Sequence, residues 1–453
     1  MPASDPPENA ALTRLRELGG VASSAELQAR LGVSQATVSR LLAPLLRSGR
    51  VLKVGAARSQ RYLLPRAIEG VGSVVPMMRV DAQGQASPFG RMVPLPGGRF
   101  WVDEVDGLSQ LHDGLPWFLN DMRPQGFMGR TFALAHPELR LPGDLRYWSD
   151  DDVLKALVQA GDDLPGNLIV GQPAFERFHT LAQRASRVSD PELEYPALAE
   201  QAMQGTLPGS SAGGEQPKFC TVFNGQAVIV KFSPAGDAPA DQRMRDLLVC
   251  EHLALHTLAQ AGLPAAQTRI VAAGGRVFLE AQRFDRTARG RIGMVSLLVY
   301  DSEYVGQIDD WAATSLRMVQ RGLLTEEDAS HLRVLEAYGA LIANTDRHYG
   351  NISLLLDNDD WRLSPTYDML PMLYAPVGGE VVPRDFSDRL PRPTVQTLAV
   401  WPTARDLAIR FWRTCANDDR ISAGFRAIAR ANAEGLTVSC GRETLSPSMT
   451  ERS

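Results

Sequence analysis

Three segments within the first 66 residues have apolar side chains at the spacing of an amphipathic helix. The first stripe is apolar at every third position: Leu12, Leu15 and Leu18. A second helix is predicted over Ala25–Leu31, with Ser23 or Ser24 as its N-cap and Glu26 near the position that a capping box reserves for an acidic residue. Ser34 is placed to cap a third helix, whose inward positions are all aliphatic: Val38, Leu41, Leu42 and Leu45.

Two short apolar runs follow the third helix, Val51–Val54 and Arg61–Leu64, and both have the length and composition of strands. Three helices followed by a two-stranded ribbon are typical of a winged helix-turn-helix. Residues 1–66 are therefore predicted to form such a domain. The alternative is a three-helix packing module that binds no nucleic acid.

Strand-length apolar pieces separated by Gly, Pro and Asp predict a β-rich subdomain over residues 67–200. The three clearest strand-like segments are Met77–Val80, Arg91–Leu95 and Arg99–Val102. Two further stretches of this subdomain have helical character, Leu115–Pro124 and Val153–Val158.

Residues 201–430 mix strand and helix patterns, and residues 431–453 are predicted to be a C-terminal tail. A loop of small residues precedes two strands, Phe219–Phe223 and Gln226–Phe232, which a turn at Asn224-Gly225 joins. The other predicted elements are these: helix Asp241–Gln260, strand Val277–Ala281, helix Glu326–Ile342, and a hairpin made of Ile352–Leu356 and Trp361–Leu363. The fold class is therefore α+β.

Composition adds few constraints. Of the 453 residues, 44% are hydrophobic and 22% are charged, and two or three domains are expected from the length. No apolar run approaches the ~18 residues of a membrane span, and no signal segment is visible, so a cytosolic protein is expected. The four cysteines are far apart and support neither a zinc site nor a disulfide framework: Cys220, Cys250, Cys415 and Cys440.

Charge is distributed unevenly along the chain. Residues 1–66 hold ten Arg and Lys against four Asp and Glu, whereas the whole chain has a net charge of −5. A basic head on an acidic body suggests that the head meets a polyanion, here duplex DNA. The outward positions of the third helix suited to base edges are Gln35, Thr37 and Arg40, and the wing carries Arg58 and Arg61. A homodimer on a two-fold DNA site is expected.

The strongest chemical signal lies in the segment Asn344-Thr345-Asp346-Arg347-His348-Tyr349-Gly350-Asn351-Ile352. Asp346 is followed five residues later by Asn351, and Asp368 comes beyond the predicted hairpin. A carboxylate that orients an acceptor hydroxyl, with a carboxamide and a second carboxylate that hold Mg²⁺, is the minimal equipment for phosphoryl transfer. The alternative reading is a polar loop that follows a helix.

Lysine is scarce, since only four of the 47 basic residues are lysines: Lys53, Lys155, Lys218 and Lys231. Two of the four, Lys218 and Lys231, occur where a phosphate-binding lysine is needed, after a glycine-containing loop and on the next strand. A compact ammonium group reaches phosphates as a point charge, and the bulkier guanidinium is a poor substitute. Glu251 on the following helix is a candidate partner for Lys231, although a solvated helix-surface Glu is the commoner case.

With these motifs in order, the chain resembles HipA-type serine/threonine kinases over roughly residues 73–430. The resemblance implies a bilobal protein-kinase-like fold, with ATP and Mg²⁺ as cofactors and a protein as substrate. It implies Asp346 as the catalytic base and Asn351 with Asp368 as the magnesium ligands. The ATP-binding residues implied are Ala212, Gly213, Gly214, Glu215, Gln216, Lys218, Lys231, Gln282, Arg283, Phe284, His348, Tyr367 and Asp368.

In that family a serine of the phosphate loop is autophosphorylated, which silences the enzyme, and Ser210 or the adjacent Ser211 matches its position. Two features depart from the family pattern. The loop is one residue longer than usual, and the helix-turn-helix, normally supplied by a separate antitoxin, is fused to the kinase. Two other functions stay open: a small-molecule kinase, and a transcriptional regulator whose kinase-like body senses nucleotide without turnover.

Overall fold

The computed structural model describes residues 7–56, 59–204 and 215–443. These residues divide into two compact units, one made of 7–125 with 129–184 and the other of 126–128, 185–204 and 215–443. The division at residue 184 is earlier than the boundary of 200 that the sequence suggested. The helix Pro191–Met203 accounts for the difference, because it packs on the sheet of the second unit.

The first unit begins with three helices and a small sheet. Its elements are α1 (Pro7–Glu17), β1 (Val21–Ala22), α2 (Ser24–Leu31), α3 (Gln35–Arg47), β2 (Leu52–Val54) and β3 (Arg61–Leu63). Ser23 caps α2 in a complete capping box with Glu26, and Ser34 caps α3. The strands have the order β1-β3-β2. The predicted three-helix and wing arrangement is therefore confirmed, with one additional strand.

A five-stranded antiparallel sheet forms the rest of the first unit, in the order β7-β6-β5-β4-β8. Its elements are β4 (Val75–Val80), β5 (Ala86–Leu95), β6 (Arg99–Glu104), β7 (Ser109–Asp113) and β8 (Leu168–Val170). The accompanying helices are α4 (Gly126–Ala135), whose first three residues belong to the second unit, α5 (Asp150–Ala160), α6 (Gln172–His179) and α7 (Leu181–Arg184). The stretch Leu115–Pro124, predicted to be helical, forms a short 3-10 helix at Trp117–Met122.

The wing packs directly on this larger sheet. One buried apolar cluster joins the two: Val54, Leu63, Val93, Leu95 and Trp101. Polar contacts reinforce it, since the Arg99 guanidinium donates to the Leu18 carbonyl at 2.9 Å and the Arg66 N–H donates to the Pro94 carbonyl at 2.9 Å. A fragment that ended at residue 66 would expose the apolar face of the wing.

The second unit contains a sheet of mixed direction and a helical part. Its sheet has the order β12-β13-β11-β10-β9, and β9 is parallel to β10 whereas the other pairs are antiparallel. The strands are β9 (Arg187–Val188), β10 (Lys218–Phe223), β11 (Gln226–Phe232), β12 (Thr268–Ala273) and β13 (Arg276–Gln282). The helices α8 (Pro191–Met203) and α9 (Pro239–Gln260) pack against it.

A three-stranded sheet and five helices complete this unit. They are β14 (Met294–Ser296), α10 (Leu297–Tyr304), α11 (Trp311–Gln320), α12 (Glu326–Leu341), β15 (Ser353–Asp357), β16 (Asp360–Leu363), α13 (Trp401–Asn417) and α14 (Ala423–Glu443). Large aromatic side chains are fully buried between these helices, among them Trp412, whose indole N–H donates to the Leu341 carbonyl at 3.1 Å. Among the described helices, none is both long and apolar enough to cross a membrane.

Two-residue turns set the register of both predicted hairpins. Asn224 and Gly225 have φ of 49° and 78°, and Asn358 and Asp359 have φ of 48° and 71°. Residues with φ above zero at both central positions match the right-handed twist of the flanking strands, and Asn, Asp and Gly tolerate this conformation best. Both hairpins form where the sequence predicts them.

The cluster between the wing and the larger sheet predicts a stability effect. Leu63 is fully buried in it, so Leu63→Ala leaves a cavity and is expected to destabilise the first unit by ~2–5 kcal/mol. Leu108 is 56% exposed in the same unit, and Leu108→Ala is expected to change stability by less than ~0.5 kcal/mol. Thermal unfolding of the full-length variants measures both effects, and equal melting curves would contradict the docking of the wing.

Candidate active site

Two of the four lysines lie opposite each other on neighbouring strands. Lys218 begins β10 and pairs with Lys231 of β11, so both side chains leave the same face of the hairpin. Both are buried. Burial and the adjacent charge of Lys231 lower the pKa of Lys218. Two of the chain's four lysines therefore share one buried face of this hairpin.

The ammonium group of Lys231 is held by two carboxylates from distant parts of the chain. It donates to both oxygens of Glu251 on α9, at 2.7 and 2.9 Å, and to Oδ1 of Asp368 at 2.5 Å. Burial alone would lower the pKa of Lys231, but the two carboxylates outweigh burial and raise it. Burial would likewise raise the pKa of Asp368, but Lys231 and Lys218 hold it below its ordinary value. Lys231 and Asp368 are therefore both charged at neutral pH.

Glu251 is buried, in contrast to the solvated helix-surface position that was the commoner expectation. Its contact with Lys231 is the ion pair that the sequence suggested. The three donors of the Lys231 ammonium group thus meet three carboxylate oxygens.

The loop after α12 brings Asp346 and Asn351 together. Asn344 is buried, and its Oδ1 accepts the N–H of Asp346 at 2.9 Å. Nδ2 of Asn351 donates to the Asp346 carbonyl at 2.8 Å, which closes the loop. The Asp346 side chain itself is 49% exposed and so is accessible to a substrate. Asn344, which the sequence interpretation gave no role, is the residue that holds the start of this loop.

His348 lies beside the Asp346 carboxylate. Its Nδ1 accepts the N–H of Gly350 at 3.0 Å, and its Nε2 is 3.7 Å from Oδ1 of Asp346. The side chain is 59% exposed. The imidazole therefore flanks the proposed base.

The hairpin of β15 and β16 returns the chain to this loop. The Tyr367 hydroxyl donates to the Gly350 carbonyl at 3.0 Å and lies 2.8 Å from the Ser353 hydroxyl. Asp368 follows directly, with a φ of 55°. Asp368 therefore lies next to the loop that ends in Asn351, and its carboxylate also reaches Lys231 across the site.

The segment from Gln282 to Phe284 follows β13. The N–H groups of Gln282 and Arg283 donate to the carbonyls of Gln267 and Ala227, both at 2.9 Å. The Arg283 guanidinium is buried and donates to the Asp285 carboxylate at 3.0 Å, so it faces the protein interior. Among the residues that the structure describes, the Phe284 N–H donates no backbone hydrogen bond.

The Phe284 ring lies 5.6 Å from the ring of Tyr367. The pair connects the segment after β13 with the residue before Asp368. The sequence placed both residues at a nucleotide site without indicating that they touch.

Part of the phosphate loop is described. Within the described ranges, Nε2 of Gln216 is buried without a hydrogen-bond partner, two residues before Lys218. An unpaired buried donor two residues before a buried lysine suits a ligand with anionic oxygens. Glu215 is exposed. The remaining predicted loop residues lie outside the described residues: Ser210, Ser211, Ala212, Gly213 and Gly214.

The predicted DNA contacts differ in exposure. Gln35 and Arg40 are exposed on α3, whereas Thr37 is partly buried and accepts from the Arg40 guanidinium at 3.2 Å. Arg61 is also partly buried, because alternate residues of β3 share a face and Arg61 lies on that of Leu63, which packs on the larger sheet. Arg58 lies outside the described residues.

Comparison with known proteins identifies three matching domains and one full-length relative. Residues 210–431 match the family described as HipA-like C-terminal domain, and residues 71–179 match YjjJ-like toxin, middle domain. Residues 4–65 match the domain described as transcriptional regulator DIP2311-like, C-terminal domain. Toxin YjjJ of Escherichia coli (strain K12) is 39% identical over 429 residues, which cover 92% of this chain and 96% of that protein.

Solved structures are more distant. One is the toxin–antitoxin system HipA, HipB and operator DNA complex of Shewanella oneidensis MR-1, with a TM-score of 0.47 and 14% identity over 81% of this chain and 97% of that one. Another is the Helicobacter pylori proinflammatory kinase CtkA, with a TM-score of 0.35 and 12% identity over 49% of this chain and 90% of that one. The 39% identity to Toxin YjjJ over nearly the full length of both chains, together with the HipA-like domain, shows that the chain belongs to the family of HipA-like toxins.

Proposed function

We propose that this protein is an ATP- and magnesium-dependent serine/threonine protein kinase with a fused DNA-binding head. The observation that carries the proposal is the position of Lys231, whose ammonium group contacts both Glu251 and Asp368 beside the loop of Asp346 and Asn351. A lysine paired with a helix glutamate, together with a metal-binding aspartate, is the arrangement that protein kinases require around ATP.

The donor groups of the site fit both cofactors. Asn351 and Asp368 supply the carboxamide and carboxylate oxygens that Mg²⁺ prefers, and these residues would hold the ion. Bound there, Mg²⁺ would neutralise charge on the nucleotide phosphates. Lys218, Lys231 and the buried amide of Gln216 would bind the phosphates, and Lys231 would exchange its contact with Asp368 for a phosphate oxygen while it keeps Glu251.

The adenine is proposed to dock at the segment after β13. The Phe284 N–H supplies the backbone donor, because those of Gln282 and Arg283 are already bonded within the protein. The ring pair of Phe284 and Tyr367 supplies an apolar surface for the base. We therefore assign the contact to the backbone of this segment rather than to the Arg283 side chain.

Asp346 is proposed to accept, or at least orient, the proton of the acceptor hydroxyl. Its half-exposed carboxylate supports a macromolecular acceptor, because a protein loop can approach it from solvent. The accompanying proposal is self-inactivation, in which phosphate on Ser210 or Ser211 brings about −1.5 to −2 charges into a site built for ATP and so repels the loop from it.

A nucleotide-sensing regulator without turnover is the second candidate, and the DNA-binding head favours it. It differs from the kinase in one respect, since a sensor has no need of Asp346. Incubation with labelled ATP, followed by mass spectrometry of the products, distinguishes the two. Phosphate transferred to protein supports the kinase, whereas binding without transfer supports the sensor. Peptide mapping of the same sample tests modification of Ser210 and Ser211.

Asp346→Asn is expected to reduce phosphate transfer by ~10²–10⁴-fold, the usual contribution of a general base or orienting residue. Nucleotide binding should be retained, because Asp346 does not contact Lys231 or Asp368. Asp368→Asn serves as the contrast, since loss of a metal ligand should weaken magnesium-dependent ATP binding itself. Transfer assays and calorimetric titration measure the two effects, and undiminished transfer by Asp346→Asn would remove the kinase as proposed.

Lys231→Arg tests the requirement for a compact cation. A guanidinium is larger and planar, and it cannot keep the three short contacts to Glu251 and Asp368 within the same buried space. Activity should therefore fall severely although the charge is conserved. The control is Lys155→Arg on α5 in the first unit, which should leave activity unchanged. Equal tolerance at both positions would show that the lysine at 231 has no special role.

Duplex DNA is the proposed partner of the head, bound through Gln35, Thr37 and Arg40 of α3, with Arg58 and Arg61 as contacts of the wing and a homodimer on a two-fold site. Arg40→Ala is expected to weaken binding by ~1–3 kcal/mol if Arg40 contacts a base, and to flatten the log–log salt dependence by about one unit if it contacts a phosphate. The control is Arg91→Ala on β5. Gel shifts with a duplex enriched from a random pool measure both, and equal effects would contradict the interface.

A further inference from the structure

Arg347 follows Asp346 in sequence, but its side chain turns back towards α12. Nε donates to Oε1 of Glu336 at 3.0 Å, and Nη1 donates to the backbone carbonyl of Asn344. The guanidinium therefore contacts the backbone two residues before Asp346, whereas its own backbone lies one residue after it. A single side chain ties both sides of Asp346 to one helix.

The counter-ion of Arg347 has a second bond that extends this connection. Oε2 of Glu336 accepts the N–H of Trp311, the first residue of α11, at 3.3 Å. The Trp311 indole N–H in turn donates to the His348 carbonyl at 3.2 Å. The loop is thus held at Asn344, Arg347 and His348 from the side of α11 and α12.

Gly339 provides the space that the Arg347 stem occupies. It lies on α12 three residues after Glu336, so the two share a face of the helix. A Cβ at this position would lie 2.6 Å from Cδ of Arg347, and 3.4 Å from both Cγ of Arg347 and Sδ of Met369. Carbon atoms that are not bonded stay about 3.5–4.0 Å apart. Any side chain at 339 would therefore displace Arg347, and Met369 directly follows Asp368.

We propose that Arg347, Glu336 and Gly339 form a positioning device for Asp346, here called the arginine brace. This proposal rests on the proposed kinase function only in taking Asp346 as the catalytic base. About half of the Asp346 side chain is exposed, so its direction is set by the backbone of the loop. The planar guanidinium holds its donors in a rigid fork that reaches both the Glu336 carboxylate and the Asn344 carbonyl, whereas a lysine ammonium at the end of a flexible stem would fix the loop less firmly.

Glycine at 339 supports this assignment because it lowers the stability of the helix. In a helix interior glycine is less favourable than alanine, so a helix selected for stability alone would have alanine here. The Arg347 side chain supplies the reason for glycine, because its stem crosses the helix where a Cβ would otherwise be. The brace is therefore a positioning arrangement rather than an ordinary surface ion pair.

The test compares Arg347→Lys and Gly339→Ala with two matched controls. Arg362→Lys changes an arginine whose Nε bonds Asp328 on the same helix at 3.0 Å, and Gly424→Ala changes a glycine on α14 with open space around it. Both brace variants should lower the turnover number for phosphate transfer by ~10²-fold, because displacement of a reacting group by about 1 Å costs that much. The KM for ATP should change little, and the controls should behave as the unmodified protein.

Hydrogen–deuterium exchange of residues 343–352 provides a readout that does not need activity. Exchange should increase in both brace variants and stay unchanged in both controls. A double-mutant cycle then separates positioning from general destabilisation, since Gly339→Ala should add nothing in an Arg347→Ala background. If Gly339→Ala prevents folding, the turnover and exchange of Arg347→Lys alone test the brace.

Two results would overturn the brace: exchange and turnover equal to those of the controls, or additive effects of Gly339→Ala and Arg347→Ala on exchange. Absence of any phosphate transfer by the unmodified protein would instead remove the proposed kinase function. In that case the exchange measurements still test whether the brace holds the loop.

Discussion

The candidate active site depends on one buried ammonium group, that of Lys231. A buried charge is tolerated only when opposite charges and hydrogen bonds compensate for its lost hydration. Glu251 and Asp368 supply this compensation, so β11, α9 and the segment after β16 must meet at one point. Under the proposed function, a phosphate would take the place of Asp368 at Lys231, and the Asp368 carboxylate would then be available to a metal ion.

The loop of Asp346 is organised differently, because its central side chain is half exposed. Packing cannot fix a half-exposed carboxylate, so the loop is fixed through its backbone. Asn344, Asn351 and Arg347 all bond to main-chain atoms of this loop. Rigidity comes from groups behind the loop, and the face towards solvent remains open.

The packing of the fused head affects how the proposed DNA binding should be tested. Its wing uses one face to pack on the larger sheet of the first unit, so the head and the β-rich subdomain stabilise each other. The helix α3 keeps Gln35 and Arg40 exposed, but Arg61 lies on the packed face of its strand. DNA contacts are therefore expected chiefly from the helix, and the smallest useful fragment includes the sheet.

Local sequence determined much of this protein, because caps and two-residue turns act over a few residues. The turn at Asn224-Gly225 fixes the pairing of its strands, and counting back along them places Lys218 opposite Lys231. The spacing of Asp346 and Asn351 is likewise local, and the sequence alone proposes them for phosphoryl transfer. Only the tertiary structure decided that Lys231 bonds Asp368, 137 residues away, that Arg347 turns towards Glu336, and that Gly339 makes room for it. These contacts join residues whose separation along the chain carries no periodic signal, so only the packing of whole elements brings them together.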